Sequence, residues 1–397
     1  MKINIAKKPL IKVIVREFKR IFSSKDLIMI CLIAPFVYAF MFAYLYSHER
    51  AFDIKIGIIN NDNGRMSRTL VRNIDAAPEL KTDVSYISPR EAFTGIFKNN
   101  LGVFYLIPKH FGADLKKGKS VSVFNASNSS NFLIASNVSK TLALISADFP
   151  KKQFTKILVD KGYSYNSALA AYAPLQSSSS YLFNTRMNYS DFLLPCLLLA
   201  VLQQILLVAV GTTISSEKRD KTEKELYKTA GCSFANVFFG KAAPYIIIGT
   251  ALNAFNTFII LPTDAIFTHS VLGVLILSTA FIIAVVFFAI LISALFRSPE
   301  MAMAVLMFYA LPTFLLSGFA WPHQAFPPVL KIVSYLFPST YAATYIRLFT
   351  LGDVPLSYAV MPAAGLIVFS AVCYVLARIV EDKTRKIFKS DETACLI

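Results

Sequence analysis

Six runs of mostly apolar residues divide the chain: Leu27–Tyr46, Phe192–Ile214, Ala242–Leu261, Val271–Phe296, Met301–Ala320 and about Ala359–Val380. Each is close to the roughly 20 residues that a helix needs to cross the hydrocarbon core of a bilayer. The fifth contains Pro312, which a spanning helix tolerates where neighbours satisfy the freed carbonyl. A seventh run, Pro328–Leu336, is too short to cross. It lies between Trp321-Pro322 and Phe337-Pro338 and reads as an interfacial or re-entrant segment.

Between the first and second runs the pattern changes character. Asp53–Ile59 reads as a strand entering the turn Asn60–Gly64, Ser67–Ile74 as a short helix, and Thr82–Ile87 as a second strand. Ser88-Pro89-Arg90-Glu91 has the N-cap, proline and N3 glutamate of a capping box. Leu101–Ile107 then reads as a buried strand, Pro108–Leu115 as a helix and Val121–Phe124 as a fourth strand. Strands alternating with helices imply a small α/β domain. From Asn131 to about Tyr172 the pattern is helical, with a break expected at Pro150, and Ala173–Ser180 is a polar linker. Gly112…Gly118-Lys119-Ser120 looks like a phosphate-binding loop. It has one residue too many between its glycines, and a strand rather than a helix is expected after it.

Composition agrees with a membrane chain. Of 397 residues, 55% are hydrophobic and 16% charged, whereas soluble domains have about 45–50% and about 25%. The mean hydropathy is +0.54. Collagen-like, coiled-coil and disordered classes are excluded by this much Phe, Leu and Ile. The net charge of +16 does not indicate nucleic acid, because much of it sits where it sets topology. Lys2, Lys7, Lys8, Lys12, Arg16, Lys19, Arg20 and Lys25 precede the first run. Lys218, Arg219, Lys221, Lys224, Lys228 and Lys241 fall between the second and third, and Lys383, Arg385, Lys386 and Lys389 follow the sixth. By the positive-inside rule both termini are expected in the cytoplasm and residues 47–190 outside, with the first run an uncleaved signal anchor. That outer segment carries 18 Lys and Arg against 10 Asp and Glu, an excess that suits either anionic partners or an ordinary solvated surface. Cys31, Cys196, Cys232, Cys373 and Cys395 form no CxxC pair and match no metal site.

Three places carry candidate chemistry. Pro9–Phe22 is amphipathic, with Leu10, Ile14, Phe18 and Ile21 on one face and Lys12, Arg16, Lys19 and Arg20 on another. It reads either as an interfacial anchor on anionic headgroups or as an elbow that also touches a cytoplasmic partner. In Ser215–Lys241, the spacings Glu217→Lys221 and Asp220→Lys224 favour a short surface helix. That helix is either a docking knob or a solvated loop. Within the spans, Gln203, Gln204, Asn253 and Asn256 are costly polar groups. They either line a path for an amphipathic substrate or hold helices together.

Four stretches resemble permeases of ABC-2 type exporters. Glu217-Lys-Arg-Asp-Lys-Thr222-Glu-Lys-Glu-Leu226 is similar to the family's charged coupling segment, with Lys221 where glycine is usual and Ala230 where proline is common. Gly240-Lys241-Ala-Ala-Pro244-Tyr245 is similar to the entry to the third span. Leu316-Ser317-Gly318-Phe-Ala-Trp321-Pro322 and Phe337-Pro338…Arg347…Gly352 resemble the external re-entrant region. In the inserted segment, Ile58-Ile-Asn60-Asn-Asp62 and Ile107-Pro108-x-x-Phe111 fit the subgroup with a large external domain.

The resemblance implies a membrane α-helical fold of the ABC-2, type V exporter-like class. It has six transmembrane helices and an α/β extracytoplasmic domain inserted between helices 1 and 2. The expected layout is a cytoplasmic leader at 1–26, helix 1 at 27–46 and the periplasmic domain at 47–190. Helices 2–6 follow at 191–380, with a coupling loop at 215–241 and a re-entrant segment at 321–353, then a tail at 381–397. By resemblance, Glu217, Arg219, Thr222, Glu225 and Leu226 couple to an ATPase, and Ser317, Gly318, Trp321, Pro322, Pro338 and Arg347 build the re-entrant region.

The implied function is the permease subunit of an ATP-driven exporter of drugs or amphipathic molecules in a bacterial inner membrane. It is not itself an enzyme, with ATP and Mg bound by a separate cytoplasmic ABC ATPase and no cofactor or metal on this chain. Its partners would be that ATPase, a second copy or a paralogous permease, the lipid bilayer, and in some systems a periplasmic membrane-fusion protein with an outer-membrane channel. The alternatives are a secondary transporter, which should show carboxylates mid-membrane, and a non-transporting receptor or adhesion protein.

Overall fold

A computed structural model describes residues 8–46, 54–78, 80–83, 86–98, 101–127, 132–172, 189–261, 271–319, 321–352 and 354–388. The expected linker Ala173–Ser180, the loop Pro262–Ser270 and Cys395 lie outside these residues. The chain divides into a helical unit, Met1–Ser47 with Tyr181–Ile397, and a second unit, His48–Ser180.

The helical unit begins with α1 (Pro9–Ser23), opened by proline at its first turn and closed at Ser24, which turns extended. The Ser24 hydroxyl then accepts from the Leu27 amide, starting α2 (Lys25–Tyr46), the first long apolar helix.

In the second unit, four strands form one sheet. They are β1 (Ile54–Asn60), β2 (Leu80–Asp83), β3 (Val103–Ile107) and β4 (Phe124–Ser127), in the order β2-β1-β3-β4. The first three are parallel, with Ile54 beside Leu80 and Ile56 beside Val103, and β4 runs antiparallel on the edge. Helices α3 (Arg65–Asp75), α4 (Pro89–Phe97) and α5 (Phe111–Lys116) connect the strands. Ile56, Ile58, Leu70, Val103, Tyr105 and Phe111 bury one face, while Ile59, Ala92, Leu101 and Phe104 bury the other. Burial on both sides explains why β1 and β3 read as continuous apolar runs rather than alternating ones. Only half of the expected capping box forms as anticipated. Ser88 accepts from the Glu91 amide, but the Glu91 carboxylate reaches the Ile87 amide.

Helix α6 (Phe132–Asp160) passes through Pro150 without breaking, contrary to expectation. Val138, Leu142 and Phe149 anchor it in the same core and offset the bond lost at proline. The break comes at Gly162, whose φ of 92° permits the reversal, with the Tyr163 amide reaching back to the Leu158 carbonyl. Helix α7 (Tyr165–Tyr172) follows.

The helical unit resumes with α8 (Tyr189–Gly211) and α9 (Thr213–Arg219), then a short α10 (Glu223–Thr229) and the long α11 (Phe234–Ile260). After these come α12 (Val271–Leu295), α13 (Pro299–Leu316), α14 (Pro328–Ser334), α15 (Pro338–Leu351) and α16 (Val360–Phe388). Six helices are long and apolar enough to cross a membrane: Lys25–Tyr46, Ser190–Arg219, Phe234–Ile260, Val271–Leu295, Pro299–Leu316 and Leu356–Asp382. α12 is the hub, packing against α8, α11, α13, α15 and α16. α13 and α16 leave Phe308, Leu311, Ile367 and Val368 exposed, as lipid-facing helices do.

Several boundaries differ from the sequence reading: the second span runs on to Arg219, the fifth ends at Leu316, and the second and fourth strands are Leu80–Asp83 and Phe124–Ser127 rather than Thr82–Ile87 and Val121–Phe124. The third span starts at Phe234, not Ala242, because the Ser233 hydroxyl accepts from the Asn236 amide and caps the helix there. Pro338–Leu351 is a packed helix whose Ala342, Ala343, Ile346 and Phe349 sit in the core. Its small residues and single arginine hide it from a window tuned to long apolar runs.

Candidate functional site

The coupling segment is built from three helices meeting at the end of the second span. α1 lies against α11, where Gly240 makes the approach possible: a Cβ there would fall 2.6 Å from Val13 Cγ1. This brings Glu17, 1% exposed, beside Lys241, fully buried, and Glu217, 4% exposed. The Lys241 ammonium donates to Glu17 Oε2 at 2.9 Å and to Glu217 Oε1 at 3.2 Å. Arg16 forks onto Glu217 with two bonds of 3.0 Å, the planar geometry that guanidinium and carboxylate favour. Tyr245 donates to Glu17 at 3.1 Å, Arg20 to the Thr213 carbonyl at 3.1 Å and to the Ser216 hydroxyl, and Thr222 to Glu217. Two carboxylates and one lysine out of water are tolerated because nearly every lone pair has a donor, two of the donors being the partly exposed Arg16 and Arg20.

A second knot holds the other side. The Tyr227 hydroxyl donates to Glu381 at 2.8 Å. Lys218 donates to the Ala294 carbonyl at 2.6 Å and stands 4.0 Å from the same carboxylate. The Ser293 hydroxyl accepts the amides of Ile214 and Ser215, which the break at Thr212 would otherwise leave without acceptors. Leu226 and Tyr227 are buried with Val13, Ala230 and Val237. α10 is therefore fastened to α1, α11 and the end of α16. The turn before it places Lys221 at a φ of 59°, the left-handed region that glycine favours.

Of the residues expected to couple, Glu217 and Leu226 face the protein's own interior, and Thr222 is spent on Glu217. Arg219 is half exposed and pairs with Asp220 and Glu300. Glu225 is exposed, as are Lys224 and Lys228. The expected pair Glu217→Lys221 does not form, because Glu217 is taken up by Arg16 and Lys241. Arg16, Glu17, Arg20, Lys241, Tyr245 and Glu381 were not singled out for this site. The available signal was Glu17, the only carboxylate in a basic amphipathic helix.

The intramembrane amides separate into two kinds. Asn253 is buried and donates to Ser278 at 2.7 Å, joining α11 to α12. Gln203 is buried, whereas Gln204 keeps a buried Oε1 with no hydrogen-bond partner. Asn256 is half-buried at the start of a π-helical turn.

The re-entrant residues come together between α13 and α15. The buried Ser317 hydroxyl donates to the Phe314 carbonyl and accepts from the Phe319 amide. Gly318 has a φ of 85°, and Trp321 is exposed. Pro322 precedes a single 3₁₀ turn, His323–Ala325. Pro338 opens α15, and Arg347 stacks over Phe192 at 4.6 Å. Ser334 donates to the Lys331 carbonyl, so His323 Nε2, 2.8 Å from the same hydroxyl, must be the donor. Burial, with Lys331 nearby, holds this imidazole below its ordinary pKa of 6.5.

Residues 25–379 match a family model described as ABC-2 family transporter protein. No curated protein matches the chain.

Proposed function

The chain belongs to the ABC-2 family of transporter proteins, whose members are membrane transport subunits that work with an ABC ATPase subunit, and from that premise we propose that it is the permease subunit of an ATP-driven exporter of drugs or other amphipathic molecules. ATP and Mg bind the partner ATPase, and the permease works as a pair with a second copy or a paralogue. Both termini and α10 face the cytoplasm of a bacterial inner membrane, and the sheet-containing unit lies on the outer side.

One observation supports this reading above the others. α10 presents the exposed charges Lys224, Glu225 and Lys228 on one side. Through Leu226, Tyr227 and Thr222 it is fastened to α1 and the ends of three spans. A short helix that is charged outside and locked inside is suited to receiving a push. The exposed charges and Arg219 make the contact, while Glu217 and Leu226 pass the movement inward.

Purification of the tagged full-length chain from its native membranes, with ATP hydrolysis measured in the eluate, tests the proposal. Wild type should bring down a vanadate-sensitive ATPase, and Lys224→Glu/Lys228→Glu should lose it while its elution profile stays unchanged. An ATPase retained equally by the variant would overturn the docking assignment.

A further inference from the structure

Outside this machinery, the sheet-containing unit holds a cavity of about 840 Å³ at the carboxyl ends of β1 and β2. This is the edge at which open α/β sheets bind ligands, and the volume falls within the range of small-molecule sites, about 300–1,000 Å³. Its wall is one face of α3, with Arg65, Arg68 and Arg72 spaced three and four residues apart. That spacing sets three guanidinium groups along about 10 Å of helix.

Among the described residues no carboxylate lines the cavity. The nearby Asp62 is turned into the loop, its Oδ2 accepting the amides of Gly64 and Gly112 at 3.3 and 3.4 Å. Asn60 is likewise spent on the amides of Asp62 and Asn63. Among the described residues the arginines have only long contacts of 3.4 Å, Arg68 with the Gly64 carbonyl and Arg72 with the Thr69 hydroxyl. Among the described residues none of the three pairs with an acid. Opposite them, Ile87 is 82% exposed beside Tyr86, an apolar wall facing a cationic one.

We propose that this cavity binds an amphipathic oxyanion, with its phosphate or carboxylate on Arg65, Arg68 and Arg72 and its apolar part against Tyr86 and Ile87. The site is independent of the ATPase-coupling reading and stands if that reading fails. It gives the basic excess of this unit a purpose, since guanidinium groups bind such anions with paired, directional bonds.

The test uses the full-length chain in nanodiscs of zwitterionic lipid, titrated calorimetrically with three probes. These are dihexanoyl phosphatidic acid, its uncharged dihexanoylglycerol counterpart, and inorganic phosphate. The phosphatidic acid should saturate at one per chain, with the other two weaker by about tenfold or more. Arg68→Gln/Arg72→Gln should weaken it by about tenfold at an unchanged melting temperature, and Arg68→Lys/Arg72→Lys should lose less. Repeating the titration in nanodiscs of anionic lipid identifies the source. A raised apparent Kd assigns the site to a lipid headgroup and an unchanged one to a free amphiphile, and either supports the site. Equal binding of the uncharged counterpart or of inorganic phosphate, or unaltered binding by the glutamine variant, would overturn it.

Discussion

Replacing Lys241 by methionine removes the one fully buried cation that both buried carboxylates of the coupling segment share, leaving Arg20 at 3.8 and 3.7 Å from them. Glu217 keeps its fork to Arg16 and its bond from Thr222. Glu17 is left with the Tyr245 hydroxyl at 3.1 Å and Arg20 at 3.8 Å, while remaining 1% exposed. Removing one partner of a buried ion pair costs about 3–5 kcal/mol, and the remaining contacts of Glu17 place this case near about 3. At about 2–4 °C per kcal/mol, the melting temperature should fall by about 6–12 °C. Adding Glu17→Leu removes the stranded carboxylate and leaves only the Tyr245 hydroxyl without an acceptor, at about 1 kcal/mol. The double variant should therefore melt above the single Lys241→Met variant, with a coupling energy of about 1.5 kcal/mol or more. Heating detergent-solubilised protein and following the monodisperse peak by size exclusion gives all four corners of the cycle. A double variant whose cost equals the sum of the two single costs would show that the two residues act independently and refute the clamp.

Other outcomes follow from the same structure. Lys221→Gly relieves a φ of 59° and should raise stability by about 0.5–1 kcal/mol, read as a higher melting temperature. Asn253→Ala breaks a 2.7 Å bond to Ser278 and should cost about 0.6–2 kcal/mol, whereas Gln204→Leu, which removes an unsatisfied oxygen, should be neutral or stabilising in the same assay. His323 is held below its ordinary pKa, so the folded state favours the neutral ring. Its contribution is complete above the unfolded value near 6.5 and is lost as pH falls through that value toward the folded one. The melting temperature of wild type should thus drop more than that of His323→Asn as pH is lowered across this window.

The spans were legible because hydropathy is a local property, and Val271–Leu295 was found to within a residue. The strands were legible because Ile56, Ile58 and Val103 on one face and Ile59 and Phe104 on the other must all be apolar. Pairings distant in sequence were not legible. Glu17 meets Lys241 across 224 positions, and beyond Glu17 being the lone carboxylate of its helix nothing local marks either as buried. A lysine near an apolar run satisfies the positive-inside pattern equally well as a loop residue, so its place inside α11 emerges only once Ser233 is seen to cap the helix. Pro150 misled for the opposite reason: a strong local signal was overridden by the packing of Phe149.

As proposed, this chain moves its cargo only when a partner ATPase drives α10. The most direct measurement is uptake of a fluorescent amphipathic dye into inside-out vesicles carrying the purified complex, with and without ATP. Uptake should require ATP, should stop with vanadate, and should be absent with Lys224→Glu/Lys228→Glu. Uptake that persists without ATP and follows an imposed ion gradient would contradict the account and identify a secondary transporter.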